Sequence, residues 1–584
     1  MSEATAARAA LARGDLIAAY DIATAAIEEG DASGTIRHQQ ILALARMGDT
    51  ERAMVLFRTY GLNDSGDPHE RAIGARLLKD RALALAPGPA RQAALEAAQL
   101  DYHAIYLSSG DSFPGINAAT LALLEGRVDE AQTLARALLD DPAVAGAADY
   151  YMAATRAEAQ LLLGRFHEVT ATLSSEAVRS SGDYGGRSST LRQLGMVASH
   201  LGLDEATRAA MLAPLAPPRV VHFCGHMFAA DAGAEAQLRA AIDAVLDDET
   251  IGFAYGALAC GADIVAAESL LDRGVELHVV LPFDEEDFLL QSVRPGGAGW
   301  EARYWLCRER ASSVALASPM AYFGNPAQYG YASRTAMGLA RLRADHLAAE
   351  CVQLAVWDGI ASDGPAGTGA DVAAWRAAGE RTRIVDPGPV DRQLVRPDPR
   401  ATTPYERALA AILFTDFKGF STLSEAALPA FWEGVMGVVA EVLDAQGGAV
   451  ECRNSWGDAL YAVLASAPVA AEVALQLQDR LARFDYATLG LNGGGGMRIG
   501  AHYGPAYKTV DRITGRLTYY GTEVSRAARI EPVTPPGAVF VTEPFAAILA
   551  LEGGGRFCCR YVGRIALAKK YGDYPMYRLT RALV

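Results

Sequence analysis

The spacing of hydrophobic positions changes twice along this chain of 584 residues. Up to about residue 215, leucines and alanines recur three and four positions apart, which is the period of an amphipathic helix. From 216 to 388, short β-branched runs alternate with helical stretches, which predicts a doubly wound α/β sheet. From 405 to 584, single strands, hairpins and helices follow one another, which predicts an α+β domain. We therefore expect a multidomain protein.

In the helical region, a glycine and a charged residue separate successive runs. We expect the glycine to end one helix and the charged residue to begin the next, while small alanines let antiparallel helices pack closely. The pattern resembles tetratricopeptide repeats, and an Ala-rich helical bundle is the alternative. The separating pairs are Gly14-Asp15, Gly48-Asp49, Gly126-Arg127 and Gly164-Arg165.

One stretch of the helical region, Ser112 to Leu121, reads Ser-Phe-Pro-Gly-Ile-Asn-Ala-Ala-Thr-Leu. It resembles a motif in the repeat-containing regulatory region of certain stress-signalling kinases. The resemblance implies that residues 1–215 form a regulatory scaffold that binds a protein partner. A Pro-Gly turn that enters a helix explains the same residues without any partner.

Two loops of the middle region follow a predicted strand and precede a predicted helix. The first contains Gly256, Gly261 and Asp263, and the second contains Gly367 and Thr368. Ligands of doubly wound sheets bind beyond the carboxyl ends of the strands, and amides at a helix N-terminus can hold a phosphate. A nucleotide-like ligand is therefore expected here, with a purely structural domain as the alternative.

Together the two loops resemble the Rossmann-like SLOG superfamily, whose members bind nucleotides. The second loop departs from the superfamily's pattern, because Ala366 stands where a glycine is usual and Asp371 where a glutamate is usual. The resemblance implies a nucleotide-sensing domain over residues 216–388, and the departure argues against hydrolysis by it. Residues 389–404, with four prolines among charged residues, are expected to form a semi-rigid linker.

The net charge of −16 is unevenly distributed. Residues 401–584 carry 18 Lys and Arg against 17 Asp and Glu, so the acidic excess lies upstream. A chain without a basic stripe is a poor candidate for binding nucleic acid polymers or an anionic membrane surface. The seven cysteines form no C-x-x-C pair, and no long uncharged apolar run is present, so we expect a cytoplasmic protein without a disulfide frame.

The strongest candidate chemistry lies in the last region. The apolar run Ala408 to Phe414 predicts a central strand that ends near Asp416, and a predicted hairpin over 449–465 brings Asp458 to a tight Gly-Asp turn. Two carboxylates at one strand edge suit Mg²⁺, which binds to one or two carboxylates and to substrate phosphates. Turn residues at strand ends are the alternative. A long helix over 424–446 and a turn at Gly493 to Gly496 complete this prediction.

Three segments in this order resemble the catalytic domain of class III nucleotidyl cyclases, the adenylate and guanylate cyclases. They begin at Leu413, Ser455 and Tyr519 and read Leu-Phe-Thr-Asp-Phe-Lys-Gly-Phe-Ser, Ser-Trp-Gly-Asp and Tyr-Tyr-Gly-Thr-Glu-Val-Ser-Arg-Ala-Ala-Arg. The resemblance covers residues 405–584 and implies a ferredoxin-like α+β fold. It also implies a nucleoside triphosphate substrate and a homodimer in which each site takes its metals from one chain and its arginine from the other.

The same resemblance assigns roles to individual residues. Asp416 and Asp458 correspond to the ligands of two Mg²⁺ or Mn²⁺ ions per site, with the Phe417 carbonyl as a further ligand. Arg529 corresponds to the arginine that stabilises the transition state, and Ser525 stands where the family has an asparagine that orients the ribose.

The positions that correspond to substrate recognition are less typical of adenylate cyclases. Asn454 occupies the place of a purine-reading lysine, and Thr518 the place of its partner aspartate. Lys569 and Lys570 correspond to a lysine-bearing terminal hairpin that contacts the terminal phosphates. The leading hypothesis is an adenylate cyclase that forms cyclic AMP and is regulated by its N-terminal domains. The alternatives are a cyclase that uses GTP and a weakly active or inactive pseudo-cyclase that acts as a nucleotide-sensing scaffold.

Overall fold

The computed structural model describes residues 2–362, 364–403, 405–490 and 496–582. Within these residues the chain forms two compact units, Met1–Pro217 with Asp345–Ala349, and Pro218–Ala344 with Glu350–Ala582. The first unit is helical, and the second contains two β-sheets. Of the turn expected at Gly493 to Gly496, the first three residues lie outside the described part.

Glycine and aspartate separate helices in the first unit as predicted. Gly14 and Gly48 have φ angles of 70° and 82°, a left-handed conformation that suits glycine. The side chain of Asp15 then accepts a hydrogen bond from the Ala18 N–H at 3.1 Å, and Asp49 caps the next helix in the same way. The predicted helical organisation is thereby confirmed. The helices are α1 (Glu3–Ala12), α2 (Leu16–Glu28), α3 (Gly34–Arg46), α4 (Thr50–Thr59), α5 (Pro68–Ala84), α6 (Pro89–Ser109), α7 (Ser112–Leu124), α8 (Val128–Asp140), α9 (Pro142–Gly146), α10 (Tyr150–Leu162), α11 (Phe166–Leu173), α12 (Glu176–Arg179), α13 (Tyr184–His200) and α14 (Glu205–Leu212).

The middle region forms a six-stranded sheet in which all neighbouring strands are parallel. Its strands are β1 (Arg219–Gly225), β2 (Ile251–Gly256), β3 (Glu276–Leu281), β4 (Ser313–Leu316), β5 (Cys351–Val356) and β6 (Arg381–Val385). Its helices are α15 (Ala232–Asp247), α16 (Ala262–Asp272), α17 (Glu285–Phe288), α18 (Trp300–Arg310), α19 (Ala327–Leu347) and α20 (Thr368–Ala377). The strand order β4-β3-β2-β1-β5-β6 reverses direction between β1 and β5, where such sheets open a crevice at their carboxyl edge.

The segment after β6, which we expected to be a semi-rigid spacer, lies against the middle domain. The Asp391 carbonyl accepts a hydrogen bond from the Ala229 N–H at 2.8 Å, and the Pro397 carbonyl accepts one from the Gln291 side chain at 3.0 Å. Arg392 forms an ion pair with Asp358 at 2.7 Å. Because these partners follow β1, β3 and β5, the linker crosses the carboxyl edge of the sheet.

The C-terminal region forms an eight-stranded sheet of order β13-β14-β12-β10-β7-β9-β8, with β11 paired to β10. The central strand β7 is antiparallel to both of its neighbours. The strands are β7 (Arg407–Lys418), β8 (Val450–Trp456), β9 (Ala459–Leu464), β10 (Gly496–Val510), β11 (Leu517–Tyr520), β12 (Val539–Thr542), β13 (Phe557–Ala566) and β14 (Asp573–Arg581). The helices are α21 (Leu428–Phe431), α22 (Gly437–Asp444), α23 (Ala467–Leu481), α24 (Thr522–Ile530) and α25 (Glu543–Glu552).

The long helix predicted over 424–446 is interrupted. A π-helical turn, Trp432–Met436, separates α21 from α22. Among the described residues, the stretch Glu425–Asp444 is long and apolar enough to cross a membrane by length and composition alone, a test that core helices also pass. Phe431, Val435 and Val439 are buried inside the domain, so part of this apolar character belongs to its core.

Candidate active site

The two aspartates that the sequence singled out meet at one end of the central strand. Asp416 lies on β7, and Asp458 lies in the turn between β8 and β9. The Phe417 N–H donates a hydrogen bond to the Asp458 carboxylate at 3.3 Å, which ties the turn to β7. Burial raises the pKa of Asp458, and the negative charge of Asp416 raises it further. This repulsion between neighbouring carboxylates favours a bound cation.

The donor set fits a metal that is completed by its substrate. Among the described residues, no three or more His, Cys, Asp or Glu side chains form a group that could hold a metal ion on their own. Two carboxylates leave most positions around a hard cation open, which suits Mg²⁺ with phosphate oxygens as the remaining ligands.

Two further charged residues, which the sequence patterns did not indicate, join these carboxylates. Arg498 lies opposite Asp416 in the β7–β10 register, and its guanidinium is 3.9 Å from Asp416 and 3.7 Å from Glu531. Burial and the charge of Asp416 raise the pKa of Glu531 to about 7. A guanidinium beside a metal site can bind phosphate oxygens through paired hydrogen bonds. From the sequence, Met497-Arg498-Ile499 indicates only a strand with Arg498 on one face. The place of Arg498 beside Asp416 depends on the register between β10 and β7, which cannot be read from the sequence.

Arg529 and Ser525 lie on the exposed side of helix α24. Ser525 is exposed and Arg529 is half-buried, whereas Glu523 and Arg526 on the other face are buried. Within the described part of the chain, Arg529 forms no ion pair with Asp416 or with any other carboxylate. The structure therefore does not bring the predicted arginine onto the predicted metal ligands of the same chain.

The two positions predicted to contact the base lie on different strands, β8 and β11, which a side-chain hydrogen bond connects. Asn454 is exposed on β8, and Thr518 lies on β11. The Thr518 hydroxyl hydrogen-bonds the thiol of Cys452, which shares a face of β8 with Asn454 because alternate strand residues point the same way. The structure thus places both positions on one side of this edge of the sheet.

Lys569 and Lys570 occupy the turn of the β13–β14 hairpin. Both are exposed, and both have left-handed backbone conformations, with φ angles of 62° and 58°. The neighbouring Tyr571 hydroxyl donates a hydrogen bond to the Thr522 carbonyl at 3.1 Å, at the start of α24. The predicted lysine-bearing hairpin is therefore linked to the helix that carries Ser525 and Arg529.

Comparison with known proteins identifies two regions of the chain. The family described as Adenylate and Guanylate cyclase catalytic domain matches residues 403–580. The family described as Tetratricopeptide Repeats-Sensor matches residues 15–122. Residues 403–580 are a class III cyclase catalytic domain. The N-terminal match includes the Ser112 to Leu121 motif, and no curated protein sequence matches the chain.

Several solved structures of cyclase domains resemble parts of the chain. The guanylate cyclase domain of RhGC from Catenaria anguillulae, in complex with GTP, is 19% identical over 30% of this chain and 100% of its own, with a TM-score of 0.27. The adenylyl cyclase CyaB from P. aeruginosa is 17% identical over 31% of this chain and 98% of its own, with a TM-score of 0.28. An adenylate cyclase from Trypanosoma brucei is 20% identical over 29% and 89%, with a TM-score of 0.26.

Upstream of the cyclase domain, the candidate ligand loops of the middle region lie at the carboxyl ends of β2 and β5. Gly261 and Gly367 precede α16 and α20 with φ angles of 92° and 103°. The Ala262 N–H at the start of α16 already donates to the His226 carbonyl at 3.1 Å. The first loop therefore has one amide fewer for an anion than its sequence suggests.

Two aspartates beside these loops are buried. Burial raises the pKa of Asp263 to about 8 and that of Asp371 to about 7. One oxygen of Asp263 accepts a hydrogen bond from the Ala259 N–H at 3.3 Å, and the other is buried without a hydrogen-bond partner in the described structure. Thr368 begins α20 and is buried, while Gly256 ends β2. That these residues bind a ligand stays a prediction.

Proposed function

We propose that this protein is an adenylate cyclase, which converts ATP into 3′,5′-cyclic AMP and pyrophosphate in a homodimer with two shared sites. The cyclase domain supports nucleotidyl cyclase activity in general, and the choice of ATP and the dimer are our proposals. The dimer is supported by the absence of an ion pair between Arg529 and either Asp416 or Asp458 within the described part of one chain, since catalysis needs all three at one phosphate.

In the proposed reaction the ribose 3′ oxygen bonds to the α-phosphorus, and the bond from that phosphorus to the bridging oxygen breaks. Asp416, Asp458 and the Phe417 carbonyl would hold two Mg²⁺ or Mn²⁺ ions, which when bound supply positive charge to the attacking and leaving oxygens. Arg498 lies beside these ligands and binds oxygens of the departing pyrophosphate. Lys569 and Lys570 come from the partner chain, because their hairpin is hydrogen-bonded to α24, and they add positive charge to the terminal phosphates.

The partner chain supplies the other half of each site. Its Arg529 stabilises the negative charge that develops at the α-phosphate, an electrostatic contribution that is often the largest in such reactions. Ser525, one turn earlier on α24, orients the ribose. Asn454 and Thr518 contact the base, and because an amide and a hydroxyl can each donate or accept, we expect adenine to be preferred over guanine only weakly.

The upstream regions regulate this activity in our proposal. The helical region binds a protein partner, and the middle domain is a Rossmann-like sensor of a nucleotide-like ligand at Gly256, Gly261, Asp263, Gly367 and Thr368. We place the protein in the cytoplasm, with no role in binding nucleic acid polymers. The observation that supports a sensor is the reversal of strand order between β1 and β5. The loop after β5 borders this reversal, and the loop after β2 lies one strand away from it.

Product analysis tests the proposed activity. Purified full-length protein is incubated separately with ATP, GTP, CTP and UTP in the presence of Mg²⁺ or Mn²⁺. The products are separated by chromatography and identified by mass spectrometry. We expect cyclic AMP as the main product and a smaller amount of cyclic GMP. Cyclic GMP as the main product would replace ATP by GTP as the substrate, and the absence of any cyclic nucleotide would leave the pseudo-cyclase alternative.

A further inference from the structure

A buried network of charged side chains holds helix α24 against the sheet. The Glu523 carboxylate accepts a hydrogen bond from His502 on β10 at 2.7 Å. It also forms an ion pair with Arg526, one turn further along α24. The other ring nitrogen of His502 is hydrogen-bonded to the Thr542 hydroxyl at 2.8 Å. Glu523 and His502 are 1% and 0% exposed. Because Ser525 and Arg529 lie on the opposite face of the same short helix, this network determines where they point.

A helix from outside the cyclase domain reaches this network. Tyr331 of α19 is fully buried, and its hydroxyl donates a hydrogen bond to the carbonyl of Tyr503 on β10 at 3.0 Å. Tyr503 follows His502 directly, and the charges of Glu523 and Arg526 act on the Tyr331 phenol. One residue of the middle domain therefore supports the strand that anchors the catalytic helix.

Helix α19 also contacts the cyclase domain by its backbone. A Cβ atom added to Gly338 would lie 2.0 Å from the Ala547 carbonyl oxygen on α25, so the two helices touch with no side chain between them. Arg334 on the same side of α19 lies 3.7 Å from Glu552 at the end of α25. Close backbone contact of this kind couples the positions of the two helices.

The N-terminal part of α19 also lies against the second candidate ligand loop. A Cβ atom added to Gly330 would lie 2.3 Å from the Pro365 carbonyl oxygen, at the centre of that loop. Ser333 hydrogen-bonds the Asp371 carboxyl, and the charge of Arg334 also acts on it. Asp371 lies in the first turn of α20, three residues after Thr368. The loop and the cyclase domain are thus connected by a single helix.

We propose that α19 positions the catalytic helix α24 from the middle domain, with Tyr331 as the positioning residue, so that a change at the 364–371 loop alters turnover. The inference rests on the proposed cyclase activity. A shift of the loop moves Gly330, the rigid helix carries the movement to Tyr331 and Gly338, and β10 passes it to His502 and Glu523. Arg529 then reaches the phosphate of the partner's site in the correct position only when α19 is packed against β10 and α25.

The first test replaces single residues of α19 in the full-length protein. Tyr331→Phe removes one hydroxyl and keeps the ring, and Gly330→Ala pushes the helix from the loop. We expect each to lower kcat about five-fold or more with little change in KM, since typical couplings between sites have this size. Arg341→Gln is the matched control, because Arg341 pairs with Glu380 of the middle domain at 2.9 Å and should keep the parent kcat.

The second test distinguishes positioning from a general loss of stability. In mixed dimers of Tyr331→Phe and Asp416→Ala chains, cyclase activity should be restored. One site then takes intact metal ligands from the Tyr331→Phe chain and a correctly placed Arg529 from the Asp416→Ala chain. Mixing with Arg529→Ala chains should not restore the activity. Equal rescue by both partners, or parent kcat in Tyr331→Phe, would overturn the proposal. Parent kcat in Gly330→Ala would overturn its link to the loop. A parent protein without cyclase activity would instead refute the proposed function.

Discussion

Replacing Glu523 by glutamine tests whether the buried network holds the catalytic helix. The substitution keeps the shape of the side chain but removes the charge that pairs with Arg526, which is 6% exposed. Breaking a buried ion pair by removing one partner costs about 3 to 5 kcal/mol, because the remaining charge has neither water nor a counter-ion. One kcal/mol shifts Tm by about 2 to 4 °C in a domain of this size, so we expect a decrease of about 6 to 20 °C.

Thermal unfolding followed by circular dichroism measures this decrease, and kinetics on the folded variant measures its effect on turnover. Glu472→Gln is the matched control, because Glu472 forms an ion pair with Arg581 at 3.0 Å on the surface of the same domain. Surface pairs contribute about 0 to 1 kcal/mol, so its Tm should stay close to that of the parent. If Glu523→Gln melts no earlier than the control and keeps the parent kcat, the network does not anchor α24.

Three further predictions follow from individual groups. Arg498→Gln should raise KM for ATP about ten-fold or more, because hydrogen bonds from a charged donor to phosphate are lost, and an unchanged KM in steady-state assays would remove Arg498 from the site. Asn454→Lys should increase the ratio of kcat/KM for ATP over GTP about ten-fold or more, and an unmoved ratio would show that Asn454 does not read the base. The Asp263 carboxyl has a pKa near 4 in the unfolded chain, whereas burial raises its pKa to about 8 in the folded protein. Between these pH values the folded protein holds a proton that the unfolded chain has released. The free energy of unfolding should therefore fall as pH rises from about 4 to about 8, by at most about 1.4 kcal/mol per pH unit. Asp263→Asn should remove this contribution in urea titrations from pH 5 to 8, and equal slopes in variant and parent would contradict it.

The sequence predicts the parts of the site that depend on local pattern. The apolar run before Asp416 marks a buried strand, and Gly457 before Asp458 marks a tight turn, so their approach at one sheet edge could be inferred. Arg498 and Glu531 could not be predicted, because their place beside Asp416 depends on the register of β10 and on where α24 ends. Register between strands far apart in sequence leaves no mark in the pattern of either strand.

Helix α19 is absent from the prediction for a physical reason. It is buried on most of its circumference, with small residues such as Gly330 and Gly338 where other segments approach closely. Its polar side chains, such as Arg334 and Arg341, pair with neighbouring elements and do not form one solvent-exposed face, so the amphipathic 3.6-residue period is hidden. The linker was predicted from its prolines and charges, but its contacts with the loops after β1, β3 and β5 depend on the folded sheet.

The most direct test of the shared active site mixes two inactive proteins. Asp416→Ala lacks a metal ligand and Arg529→Ala lacks the transition-state arginine, and each should be inactive alone. After subunit exchange, half of the dimers are mixed and each of these has one intact site, so the mixture should recover about a quarter of the parent's activity. Formation of mixed dimers without any recovery of cyclic nucleotide synthesis would contradict a site built from two chains.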